Sequence, residues 1–154
     1  MDFRYILSTI FVLIALDVQC SNKDHLGTNR AVKVSVNEKL ALVRRVEEIA
    51  PLLGKGHDSK IFREITKRVG KFTRDPLVYV IDRTGKFLAH PEFAGGYASS
   101  SNQIVTASIA AENGKFIRYR NFHKPCGPYG KLAYVKNILC DSGPCTVAAG
   151  ICLK

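Results

Sequence analysis

Three kinds of side chain in this sequence have chemistry to offer: four histidines, a cluster of cysteines toward the end, and an adjacent glutamate pair. His25, His57, His90 and His123 are scattered, and no two share the spacing of paired metal ligands. Glu47 and Glu48 stand side by side, which on a helix suits a solvated face better than acid/base work. The sequence holds no nucleophile elbow, phosphate-binding loop, dinucleotide fingerprint or zinc-protease motif. No enzyme activity, metal or cofactor is therefore expected. Cys126, Cys140, Cys145 and Cys152 form an even set without a C-x-x-C pair, which reads as disulfide staples in an oxidising compartment.

The start of the chain agrees with that compartment. "MDFRYILSTIFVLIALDVQC" has a short charged start and an apolar run from Tyr5 to Leu16, the pattern of a secretory signal over residues 1–20. The run is too short for a comfortable membrane span. Cleavage after Cys20 fits Val18 three residues from the cut, while lipidation of Cys20 is disfavoured by Asp17 and Gln19. The full chain has 23 Lys and Arg against 13 Asp and Glu; losing Asp2, Arg4 and Asp17 leaves 22 against 11, about +11. Such a charge favours anionic partners, although the basic residues are scattered and no nucleic-acid motif accompanies them. A secreted or periplasmic protein is expected, with no specific nucleic-acid partner.

The elements that must position any site follow from periodicity. Residues 21–35 read as a polar leader, and 36–154 as one domain. From an N-cap at Asn37, Leu40, Val43, Val46, Ile49 and Leu53 recur at helical spacing. Asp58 can cap a second helix with Ile61, Phe62, Ile65 and Val69 on one stripe. "LVYVI", the turn "DRTG" and "KFLAH" then predict an antiparallel hairpin over 77–90. A loop rich in Gly and Ser follows, and "NQIVTASIAAENG" predicts a third helix ending at Gly114. "KFIRYRNF", "KLAYVKNI" and "CTVAAGICL" predict a three-stranded meander. The order implies an α+β domain with a five-stranded antiparallel sheet and N-terminal helices.

In that order, the helix end "RVGKF", the hairpin "LVYVIDRTGKFLAHPEF", "NGKFIRYR", "YGKLAYVK" and "VAAGICL" resemble the single-Cache extracellular sensor family over about residues 60–151. The resemblance implies a PAS-like/Cache sheet whose concave face encloses a small ligand, an organic acid or an amino acid. It also makes "AHPEFAGGYASSS" the pocket rim, with Gly95 and Gly96 freeing the backbone to close over a ligand. His90, Tyr97, Tyr119, Lys131 and Tyr134 are the implied ligand-facing groups. Arg118 and Arg120 fall on the face opposite Tyr119.

Across "DSGP", the meander sets Cys140 opposite Cys145 and, continuing that register, Cys152 opposite Ala133. Pairs Cys140–Cys145 and Cys126–Cys152 are expected. The reading is an exported, stand-alone binding module for a small anionic metabolite, for sensing it or presenting it to a signalling or surface protein. The alternative is a secreted basic interaction protein that binds an anionic polymer or another protein, its pocket vestigial.

Overall fold

Ser35 starts the first helix. Its hydroxyl accepts the Glu38 N–H at 3.2 Å, and the Glu38 carboxylate accepts the Ser35 N–H at 2.9 Å. This capping box opens α1, Val36–Ile49, two residues before the cap expected at Asn37. Asn37 lies inside the first turn, where the Ser35 hydroxyl already caps the Glu38 N–H. Leu42, Val46 and Ile49 are fully buried, and Pro51 sits in the 3-10 turn Ala50–Leu52 that follows.

The second helix, α2, spans Asp58–Lys67. Asp58 does not cap it as expected; its carboxylate is taken by other elements. One oxygen accepts the Gly54 N–H at 2.7 Å and the other the Asp141 N–H at 2.6 Å. Asp141 returns the arrangement, accepting from Gly56 at 2.7 Å and from Asp58 at 3.1 Å. This reciprocal clasp fastens the loop between the helices to a turn more than eighty residues away. Helix α2 stops at Arg68, whose φ of 51° is left-handed, and Gly70–Thr73 forms a 3-10 turn.

The computed structural model describes residues 33–98, 114–119, 126 and 130–153, all within the compact unit Val32–Lys154. The expected signal segment, most of the polar leader, the third helix, His25, His123 and Arg120 lie outside the described residues.

Five strands form one antiparallel sheet in the order β2-β1-β5-β4-β3: β1 Leu77–Asp82, β2 Phe87–Ala89, β3 Lys115–Tyr119, β4 Lys131–Cys140 and β5 Gly143–Cys152. With α1 and α2 on one side, this is the expected α+β architecture of N-terminal helices on a five-stranded antiparallel sheet. Asp82 shapes the β1–β2 turn, because one carboxylate oxygen accepts the Thr84 N–H at 2.8 Å, the Thr84 hydroxyl at 2.6 Å and the Lys86 N–H at 3.0 Å.

The β4–β5 register differs from the expected one. Cys140 faces Gly143, Cys145 faces Ile138, and Ala133 faces Gly150. The turn is the two residues Asp141 and Ser142 rather than four, so every pairing moves by two and Cys152 meets Lys131. A shift of two preserves the face of each side chain, so both expected disulfides are present. Cys140–Cys145 runs diagonally at a Cα separation of 5.9 Å, and Cys126–Cys152 spans 4.8 Å.

The sheet separates two apolar clusters. Leu42, Val46, Ile49 and Ile65 of the helices pack on Val78, Val80, Leu132, Tyr134, Val147 and Ala149. Tyr79, Ile81, Ile117, Ala133, Val135 and Ala148 form the second cluster, built from alternate residues of the same strands. Val80, Val135 and Val147 are fully buried; each such side chain contributes roughly 1.5–3 kcal/mol.

Candidate functional site

Small residues stand at the centre of the sheet face turned away from α1 and α2. Leu77, Gly150, Ala133 and Ile117 lie in one cross-strand row, and Tyr79, Ala148 and Val135 in the next. A Cβ at Gly150 would stand 3.8 Å from the Tyr119 hydroxyl, so the Tyr119 side chain leans across this face. It reaches Tyr79, and the two hydroxyls hydrogen bond at 3.2 Å. Burial pushes the Tyr79 phenol well above its usual range, and the neighbouring Tyr119 adds to it. Burial also raises Tyr119, against a lowering by the bond from Tyr79. Both phenols therefore keep their protons near neutral pH.

Lys131 is the β4 partner of Tyr119 and is partly buried. Burial lowers its pKa, and the charge of Glu92 opposes that shift. Glu92 is placed by His90. The His90 Nδ1 accepts the Glu92 N–H at 3.0 Å and the Phe93 N–H at 3.2 Å, so the ring caps the turn that follows it. Its centroid lies 4.8 Å from that of Phe93, 5.0 Å from Phe87 and 5.8 Å from Tyr79. Burial in this aromatic nest, aided by the charge of Lys131, depresses its pKa to about 4. His90 is a neutral imidazole at neutral pH, with its proton on Nε2.

The rim loop turns back along β2. Gly95 donates to the Phe87 carbonyl at 2.8 Å, and Phe87 donates to Gly96 at 2.8 Å. Gly95 has a φ of 82°, a conformation other residues rarely adopt. Tyr97 is 67% exposed and stands opposite Lys86, facing water.

Tyr119, Lys131 and His90 thus come to one face, while Tyr97 and Tyr134 do not join them. Tyr134 is three residues from Lys131, an odd step, and strand alternation turns it to the helix side. There it is 4% exposed, its ring 5.1 Å from Phe116. Burial raises its pKa, with Glu47 adding to the shift. Arg118 lies opposite Leu132, on the face away from Tyr119 as expected. Tyr79 joins the site without having been expected there. Its signal is a polar-tipped aromatic at the centre of "LVYVI", on the same parity as Leu77 and Ile81.

Chemically, the phenols and the ammonium supply hydrogen-bond donors and a positive charge. Two phenols bonded to each other use one hydroxyl proton and leave the second free for another acceptor. The cation of Lys131 stands in the same cross-strand row as Tyr119. No group of three or more His, Cys, Asp or Glu able to hold a metal ion occurs among the described residues.

No protein-family model matches the chain, and no curated protein matches it. Among solved structures, it is similar to the crystal structure of the E. coli DcuS sensor domain, at 18% identity with a TM-score of 0.40, over 73% of this chain and 80% of that one.

Proposed function

We propose that the protein is an extracytoplasmic binding module for a small carboxylate metabolite, an organic acid or an amino acid, held on the sheet face turned away from α1 and α2 and presented to a partner protein. The observation that carries this reading is the Tyr79–Tyr119 hydroxyl pair beside Lys131, set over Gly150, Ala133 and Ala148. A carboxylate there accepts hydrogen bonds from the spare phenol proton and from the ammonium of Lys131. Lys131 gains most from such a ligand, because an incoming anion offsets the burial that lowers its pKa. The two disulfides support the extracytoplasmic location.

A thermal-shift screen of organic acids and amino acids against the oxidised protein tests this reading. A binding acid raises the unfolding midpoint with the logarithm of its concentration over Kd. Lys131→Ala weakens that acid by roughly 1.5–3 kcal/mol, the worth of a charge-assisted hydrogen bond. Tyr119→Phe weakens it less, with the fold retained in both variants. Undiminished binding by Lys131→Ala refutes the site.

A further inference from the structure

On the helix side of the molecule, away from Tyr79 and Tyr119, α1 and the segment 70–75 enclose a groove of about 500 Å³. Its charged walls are Arg44, Arg45, Glu48, Lys71, Arg74 and Asp75. Four cations there meet two carboxylates, and both carboxylates are engaged. Glu48 is held by Arg45 at 3.5 Å, and Asp75 by Arg68 at 3.2 Å. Arg44 and Arg74 are exposed and make no hydrogen bond or ion pair with any described residue.

Arg45 is the fixed wall of this groove. Its guanidinium donates to the Lys71 carbonyl, lies 5.5 Å from the centroid of the Phe72 ring, and is 13% exposed. Its Nε is buried without an acceptor. Lys71 stands over the same ring, also at 5.5 Å. One anchored guanidinium, two unpaired ones and an ammonium therefore converge on one concave space.

A carboxylate is satisfied by one guanidinium fork, whereas a sulfate or phosphate ester has three terminal oxygens and can accept from several cations at once. The volume is that of a ligand site, larger than a bare tetrahedral ion needs. A concave groove also suits a ligand that enters it better than a flat bilayer. We infer that this groove is a second binding site, taking a sulfate- or phosphate-ester group carried on a soluble sugar chain.

The test uses the full, oxidised chain and a fluorescently labelled sulfated hexasaccharide, with binding followed by polarisation at a series of salt concentrations. Arg44→Ala/Arg74→Ala lowers affinity roughly tenfold, two exposed ionic contacts being lost, and flattens the dependence of log K on log salt. Lys60→Ala/Arg63→Ala removes the same charge from the exposed face of α2 and changes affinity less than about twofold. Arg44→Lys/Arg74→Lys keeps the charge, loses the forks and falls between the two. Equal losses in the two alanine pairs overturn the site, since net charge then explains the binding. Inorganic sulfate bound as tightly as the hexasaccharide overturns the sugar-sized ligand. Binding to vesicles of equal parts phosphatidylcholine and phosphatidylserine without hexasaccharide binding overturns the soluble source.

Discussion

Removing the buried Asp58 carboxylate is expected to cost more than changes at the exposed charged positions. The side chain is 3% exposed and accepts two backbone N–H groups, from Gly54 at 2.7 Å and Asp141 at 2.6 Å. Each bond to a charged acceptor is worth roughly 1.5–3 kcal/mol, and a buried donor left without an acceptor keeps its full desolvation cost. Asp58→Ala therefore lowers stability by about 3–5 kcal/mol, a large share of the roughly 5–15 kcal/mol that holds a domain folded. Asp141→Ala costs less, about 1–3 kcal/mol, because its bond to Gly56 is exposed and its bond to Asp58 is 3.1 Å long. Asp58→Asn must set an amide N–H against one backbone N–H and falls between them. Urea unfolding of the oxidised protein, with the double variant completing a cycle, measures each value. If Asp58→Ala costs less than about 1 kcal/mol, water replaces the carboxylate and the clasp contributes nothing that a solvated loop would not.

The pH dependence follows from His90, whose pKa falls from 6.5 to about 4 on folding. The unfolded chain takes up the proton first, so stability is full above 6.5 and is lost as pH falls toward 4. The loss amounts to about 3 kcal/mol, and His90→Asn, which can still cap the turn, flattens that limb of the profile. The disulfides differ by loop length: breaking Cys126–Cys152, 26 residues apart, costs about 3.5 kcal/mol, and breaking Cys140–Cys145, 5 apart, about 2 kcal/mol. Stepwise unfolding of the two double-serine variants checks the order. Natively exported protein carries no free thiol at these four positions in a thiol-labelling assay.

Much of the frame was legible because side-chain periodicity decides it. The hairpin, the meander and both disulfide pairs follow from alternation and from turn residues, and a register error of two leaves every face unchanged. The site was less legible where one spacing serves two purposes. In Lys131-x-x-Tyr134 an odd step must send the two residues to opposite faces, so strand geometry separates a pair that family resemblance unites. Ser35 and Glu38 stand at capping-box spacing, which the nearer Asn37 obscured. Tyr79 looks like an ordinary core aromatic until β3 is laid across the sheet and brings Tyr119 within reach of it. The Asp58–Asp141 clasp had no sequence signal, since each aspartate bonds to backbone N–H groups, which every sequence offers.

The strand order carries a consequence for how this unit comes into being. β5 lies between β1 and β4, so until residues 143–152 are available the two hairpins have no shared partner. Asp141, the distant half of the clasp, arrives only just before them. On a chain emerging from its N-terminal side, α1, α2 and β1 wait with one edge of β1 unpaired. The long-range closure of β1 on β5 sets the pace of folding. Until the last strand arrives, that open edge of β1 can accept a strand from another chain, and β5 closes it.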